Sequence, residues 1–378
     1  MAGYRQSVIY SMRSDDLQSL IALTTVPHIG DVHMKTLLQH FGSAQAVFRA
    51  RRHELERVPG IGTVRAAAIR GFRDFSRAAE ELLFMEKYQI RVFVAGEPDY
   101  PARLMHCYDA PAVLYFRGNC DLDASRMVSI VGTRDPTHYG KDWLVKLIED
   151  LASYRPLIVS GLAYGIDTIA HRQALKHGLE TIGVVAHGLD RIYPHVNKSM
   201  AREMTAQGGL LTDFMSGTPP DGRNFPSRNR IVAGISDATI VVETGHKGGS
   251  MITADIANSY NKDVCALPGR VTDGKSDGCN RLIREHRAHL VTGAKEIVEL
   301  LNWDTPPPSA ARKQRSLFPE LTEAEQTIIG ILEGKESVCI DELRQLCGMK
   351  PGETASAILN LEMMGLVASD PGKRYRAL

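Results

Sequence analysis

The sequence predicts an α/β protein: an extended Rossmann-like, doubly wound parallel sheet, with a helical domain before it and a winged helix after it. Three observations predict this. From about Arg91 to Leu301, short strand-sized runs alternate with helical stretches, the pattern of parallel strands joined by crossover helices. Those runs are apolar almost throughout, as strands buried on both faces are. On either side of them the apolar residues recur at helical spacing instead. The expected boundaries are 1–85 for the helical domain, 86–302 for the core, 303–318 for a linker and 319–378 for the winged helix.

In the first segment, Leu17, Leu20, Ile21 and Leu23, then Met34, Leu37, Leu38 and Phe41, keep helical spacing. Two related breaks interrupt the pattern: Val26-Pro27-His28-Ile29-Gly30-Asp31 and Val58-Pro59-Gly60-Ile61-Gly62-Thr63. The second has the form of a helix-hairpin-helix, a turn with two glycines opening a helix whose free amide groups can face a phosphate. The first is a weaker copy, with His28 in place of the first glycine. A tandem pair makes a small SAM-like domain, which either contacts DNA or only packs.

In the core, the expected strands are 127–131, 157–160, 181–185, 239–243 and 264–268. Ligands of such a sheet sit beyond the carboxyl ends of its strands. Three strands end there in small, flexible or basic residues: Gly132-Thr133-Arg134, Ser160-Gly161-Leu162-Ala163, and the loop Thr244 to Ser250 with Lys247, Gly248 and Gly249. Glycines let amide groups converge on an anion at a helix amino terminus. GxGxxG is absent, so a dinucleotide is not indicated.

The segment Asn224-Phe225-Pro226-Ser227-Arg228-Asn229-Arg230 gathers an aromatic ring, two guanidinium groups and two amides. That mixture suits a ligand with phosphates and flat bases, because arginine offers a donor fork to phosphate oxygens and an aromatic face stacks on a base. No catalytic residue is assigned. Ser160, Asp167 and His171 lack a GxSxG elbow, and the four-residue spacing of Asp167 and His171 makes them partners within helix packing. His187 and His246 are lone loop histidines with structural or hydrogen-bonding roles. No metal or cofactor is expected.

The stretch 303–318 contains Pro306-Pro307-Pro308 and is an extended linker. Beyond it, Thr322-Glu323-Ala324-Glu325 starts a helix as a capping box. Residues 340–346 and 353–364 form two more helices, and 365–376 a wing. From Glu320 onward six Lys/Arg face ten Asp/Glu. A helix beginning Glu353-Thr354-Ala355-Ser356 offers phosphates no cation, so duplex binding through this module is disfavoured and a protein contact fits better.

Bulk properties narrow the class further. The chain has 378 residues, 43% of them hydrophobic and 24% charged, which is ordinary for a globular protein. No apolar run is long enough to span a membrane, and the amino terminus lacks the apolar core of a signal peptide. Six scattered cysteines without a CxxC pair fit neither a disulfide scaffold nor structural zinc, so a reduced, cytoplasmic protein is expected. The formal charge is only +1, so any anion site depends on where charges stand and not on their sum.

These motifs together resemble the bacterial DNA-processing protein A family, DprA or Smf. The matching segments are Ser129-Ile130-Val131-Gly132-Thr133-Arg134, Ser160 to Asp167, Asn224 to Ile231, Gly248-Gly249-Ser250 and Gly278-Cys279-Asn280-Arg281-Leu282-Ile283. The resemblance implies a non-enzymatic core that binds single-stranded DNA, self-associates as a homodimer and loads the RecA recombinase during natural transformation. It carries the DNA site to Arg134, Phe225, Arg228 and Arg230, with Gly132, Thr133, Ser160, Gly161, Asn224, Gly248, Gly249 and Ser250 beside them. Ser227 stands where some relatives carry a basic residue, so one cationic contact is either missing or supplied elsewhere, for example by Lys247. Which of Arg228 and Arg230 faces DNA is left open.

A second reading is a nucleotide-processing enzyme. The stretch Lys247 to Asp255 distantly resembles the PGGxGTxxE signature of nucleoside-monophosphate phosphoribohydrolases. Only Gly248 and Gly249 match outright, and Asp255 replaces the glutamate.

Overall fold

Six helices fold the amino-terminal segment: α1 (Ser14–Thr24), α2 (Asp31–Phe41), α3 (Ala44–Arg49), α4 (Arg52–Glu56), α5 (Thr63–Gly71) and α6 (Ser76–Tyr88). This computed structural model describes residues 14–303, 322–332, 337–363, 366–370 and 374–377. The two hairpin breaks are structural copies. His28 at φ 67° takes the left-handed turn that Gly60 takes at φ 81°, and α2 and α5 follow from Gly30 and Gly62. Arg65 joins the copies, donating to the carbonyls of His28 (3.0 Å) and Gly60 (3.1 Å).

The core is one nine-stranded sheet. In chain order its strands are β1 (Arg91–Val94), β2 (Val113–Gly118), β3 (Met127–Val131), β4 (Leu157–Ser160), β5 (Thr181–Val184), β6 (Gly208–Thr212), β7 (Ala238–Val241), β8 (Asp263–Ala266) and β9 (His289–Leu290). The spatial order is β1-β2-β6-β5-β4-β3-β7-β8-β9. From β6 to β9 every neighbour is parallel, while β1–β2 and β2–β6 are antiparallel. The five expected strands are the central ones. The antiparallel pair β1 and β2, with β6 and β9, extends the sheet beyond what the sequence predicted.

Its helices are α7 (Ala102–Met105), α8 (His138–Leu151), α9 (Ile166–Lys176), α10 (Lys198–Ala206), α11 (Asn224–Ile235), α12 (Gly249–Ser259), α13 (Asp277–Arg284) and α14 (Ala294–Leu300). The sheet is covered on both faces. Val128, Ile130 and Ile240 point into a cluster with α8, α9 and α14, whereas Met127, Val131 and Val241 point into one with α11, α12 and α13. The alternation of a strand, period two, produces this split. A third cluster runs from the hairpin helices through Val113 and Tyr115 to Met204 and Leu210, so the helical segment and the core share apolar packing. Trp303, expected as the first linker residue, is instead buried in the core beside Val298.

The chain divides into two units, residues 1–307 and 308–378. The second holds α15 (Glu323–Leu332), α16 (Ile340–Cys347), α17 (Pro351–Met363) and a three-stranded sheet of β10 (Val338–Cys339), β11 (Val367–Asp370) and β12 (Arg374–Ala377) in the order β10-β12-β11. The capping box forms as expected: the Thr322 N–H donates to Glu325 (2.8 Å) and the Glu325 N–H to Thr322 Oγ1 (3.4 Å). The linker itself, from residue 304 on, lies outside the described residues.

Candidate nucleic-acid interface

The strand order reverses at β3. From there the chain moves outward on one side through β4, β5 and β6, then returns to place β7 on the other side. Such a switch point opens a crevice at the carboxyl ends of the strands. The three loops singled out in the sequence follow β4, β3 and β7, three adjacent strands, so they meet at this one edge. The Thr133 N–H donates to the Glu243 carbonyl (2.7 Å) and joins two of them. Glu243 itself is buried. Its carboxylate accepts the Thr137 N–H (2.9 Å) and hydroxyl at the amino end of α8.

Arg134 projects from this edge. It is exposed, and among the described residues no carboxylate pairs with it. Its Cζ lies 5.7 Å from the centre of the Phe225 ring. Lys247 is likewise exposed, just before α12, whose first amides at Gly249 and Ser250 have no intrahelical acceptor. Thr133 uses its Oγ1 to accept the Asp135 N–H (3.2 Å).

The Asn224–Arg230 segment is helix, not loop. It forms the first two turns of α11, with Pro226 in the first turn, where its missing N–H is not needed. Asn224 fastens the start, donating to the carbonyls of Ala186 (3.3 Å) and Pro219 (3.4 Å). A helix turns about 100° per residue, so Arg228 and Arg230 leave on opposite sides. Phe225 and Arg228, three apart, share a face, and the Arg228 Cζ lies 5.9 Å from the Phe225 ring.

Neither arginine is presented to solvent. Arg228 is 4% exposed, and its Nη1 donates to the carbonyls of Gly161 (2.6 Å) and Val184. Burial pulls its guanidinium down to about 10, opposed by the attraction of Asp167. Asp167 accepts the N–H groups of Gly161 (3.1 Å) and Ala163 (3.2 Å), and burial raises its carboxyl against the pull of Arg228. Gly161 is required there: a Cβ would stand 2.6 Å from Arg228 Nη2 and 2.7 Å from Asp167 Oδ2. Arg230 binds Asp31 (2.7 Å), Asp213 (2.8 Å) and the Asp109 carbonyl (2.6 Å). Both arginines are therefore braces in this structure, and Arg134 and Lys247 are the open cations. Ser160 is also internal, its hydroxyl donating to the Ile130 carbonyl (2.6 Å). Gly132 packs against Ile166.

His171 does not partner Asp167. Its Nδ1 meets the Thr181 hydroxyl at 2.7 Å, and burial lowers it to about 3. His246 accepts from Arg281 Nη1 (3.1 Å). His187 is buried, accepts the Tyr193 N–H at Nε2 (3.2 Å) and donates from Nδ1 to the Gly188 carbonyl (2.9 Å). Asp255, the carboxylate of the enzymatic reading, is exposed on α12 and paired with Arg287 (2.5 Å). The first hairpin is turned to the core: Asp31, the first residue of α2, accepts the Ala112 N–H (2.9 Å) as well as Arg230. In the second, Gly62 and Thr63 are exposed.

Residues 91–302 match the family described as DNA recombination-mediator protein A. The chain belongs to that family. Residues 306–373 match the DprA winged helix domain and 19–80 the helix-hairpin-helix motif. Among curated relatives, Protein Smf of Synechocystis is 32% identical over 94% of this chain and 97% of its own. DNA processing protein DprA of Streptococcus pneumoniae is 37% identical over 60% of this chain and 84% of its own. The crystal structure of that streptococcal protein aligns with a TM-score of 0.56 at 33% identity, covering 72% of this chain and 98% of that one. A structure addressing the single-stranded DNA binding mode of DNA processing protein A from Helicobacter pylori aligns at 0.52 and 32% identity, covering 57% and 97%. Among the described residues no helix is long and apolar enough to cross a membrane, and no cluster of His, Cys, Asp and Glu could hold a metal.

Proposed function

We propose that this protein is a cytoplasmic recombination mediator that binds single-stranded DNA at the carboxyl edge of β4, β3 and β7 and hands it to RecA during natural transformation, acting as a homodimer and without bond-breaking chemistry of its own. The observation that carries the DNA site is Arg134: an exposed guanidinium with no carboxylate partner among the described residues, beside an aromatic ring, at the switch point of a parallel sheet. A guanidinium left unpaired is available to a phosphate, and the Phe225 ring to a base. Gly132, Thr133, Lys247, Gly248, Gly249 and Ser250 complete the backbone side of the groove. Arg228, Arg230, Ser160, Gly161 and Asn224 support it from within. Family membership and the streptococcal and Helicobacter relatives support the same reading.

The test is a titration of single-stranded DNA over a salt series. Each phosphate contact on a single strand contributes roughly 0.7 to the slope of log K against log salt. Arg134→Ala is expected to weaken binding to all sequences and to lower the slope by about that amount. Unchanged affinity and slope would remove Arg134 from the site. Delivery to RecA is read separately, as faster RecA filament assembly on DNA coated with single-strand-binding protein; no acceleration by the intact protein refutes that part alone.

A further inference from the structure

Phe225 is not the only aromatic ring at this edge. Tyr164 is 48% exposed and Tyr193 43%. Both stand on fixed backbone. The Tyr193 N–H is held by buried His187, which is itself held by the Gly188 carbonyl. Tyr164 lies between two anchored neighbours. The Ala163 carbonyl accepts the Thr168 hydroxyl (2.6 Å), and Gly165, at φ 76°, presses on the Thr133–Arg134 backbone so closely that a Cβ would stand 2.3 Å from the Thr133 oxygen. Asn197 ties the two loops together, its amide donating to the Leu162 carbonyl (3.0 Å) and to Thr168 Oγ1 (2.9 Å). Leu162 sits at φ 56°, a left-handed conformation that an apolar side chain adopts only when its surroundings enforce it. The Tyr193 ring lies 6.2 Å from that of Phe225, whose ring in turn lies 5.7 Å from the Arg134 guanidinium.

Single exposed aromatics are ordinary on a protein surface. Two on rigid loops tied by one asparagine, with the Tyr193 ring beside Phe225 and Tyr164 next to the Gly165 that packs on the Arg134 backbone, bring three aromatic residues to one edge of the sheet. We infer that Tyr193 and Tyr164 are further base-stacking platforms, so that the site grips several unpaired bases of a single strand and not its phosphates alone. The inference rests on the proposed single-strand binding and names which part of the strand is held. Its physical content is specific. A ring stacks on any base, so this grip is tolerant of sequence. A phenol releases no counterion, so this grip also leaves the salt slope untouched. Duplex bases are already stacked on each other and present no free face to it.

The experiment compares intact protein binding to a thymidine tract and to an abasic tract of the same length, across salt. Stacking of one base corresponds to about tenfold in affinity. Tyr193→Ala and Tyr164→Ala are expected to weaken binding to the thymidine tract by about that factor, to change binding to the abasic tract little, and to keep the salt slope. Tyr193→Phe should bind as the parent does. Arg134→Ala should weaken both tracts and lower the slope. If the tyrosine variants bind thymidine normally, or lose equally on both tracts, while Arg134→Ala still shows its defect, stacking is overturned and the DNA site stands. If Arg134→Ala is also silent, the site itself is wrong. Should Tyr193→Ala fail to fold, the parent protein decides: equal affinity for the two tracts overturns the inference.

Discussion

Two guanidinium groups flank the Phe225 ring, and burial separates their roles. Arg134 can exchange water for phosphate because no carboxylate among the described residues pairs with it. Arg228 cannot, since it satisfies two carbonyls inside the protein and neutralises buried Asp167. A lysine is a compact charge without the fork, so it cannot replace both bonds. Arg228→Lys is expected to lower stability by about 1.5–3 kcal/mol, the worth of a charge-assisted hydrogen bond. Urea unfolding measures this, and the salt slope for single-stranded DNA should stay as in the parent once the variant is folded. The opposite pattern, a normal unfolding midpoint with a reduced slope, would show that Arg228 touches phosphate. Arg134→Ala should give that opposite pattern.

At the scale of the element, α11 works on both sides. One face carries Phe225 to the proposed groove, and the other carries Arg230 into the carboxylates of Asp31 on α2 and Asp213 after β6. Burial pushes the Asp213 carboxyl up, and Arg230 opposes that push. Removing one partner of a buried pair costs about 3–5 kcal/mol, because the other charge stays behind. Arg230→Met is therefore expected to lower stability by about that much, and adding Asp213→Asn to recover part of it; no recovery in the double variant would show that Asp213 is not the stranded charge. This double role of α11 explains what the sequence revealed and what it hid. The loops after β3, β4 and β7 were legible because each couples an apolar strand to glycine or a cation. The composition of Asn224 to Arg230 was legible too, but its conformation was not. Pro226 and two asparagines suggest irregular chain, whereas a first-turn proline is compatible with a helix. Once the segment is helical, adjacent-looking arginines part company: Arg228 is buried, and Arg230, 14% exposed, is held by two carboxylates. Tyr193 left no local signal, since its place depends on His187 and Asn197 holding a distant loop. His171 misled for a related reason: four-residue spacing puts it beside Asp167 on the helix, but the sheet supplies Thr181 as a better-placed hydroxyl.

At the scale of the whole molecule, a net charge of +1 conceals an uneven division. From Glu320 onward six Lys/Arg stand against ten Asp/Glu, which leaves 39 Lys/Arg against 34 Asp/Glu in the residues before it. The exposed positions of α17 include Glu353, Ala355, Ser356, Leu359 and Asn360, none of them cationic. Phosphate affinity comes from cations that release counterions, and this helix has none to offer. The linking stretch is rich in proline, and the two units are separately packed, with Ile328, Leu343 and Leu361 forming a core of the second unit alone. Ending the chain at residue 307 is therefore expected to leave affinity for single-stranded DNA within about twofold and the salt slope unchanged, because every open cation of the proposed groove lies in the first unit. Fluorescence anisotropy on a labelled oligonucleotide measures both quantities. A loss of tenfold or more with a lower slope would mean that the carboxyl-terminal unit supplies phosphate contacts after all. A loss without a change of slope would instead place its contribution in protein–protein contact, where its acidic surface fits a basic partner.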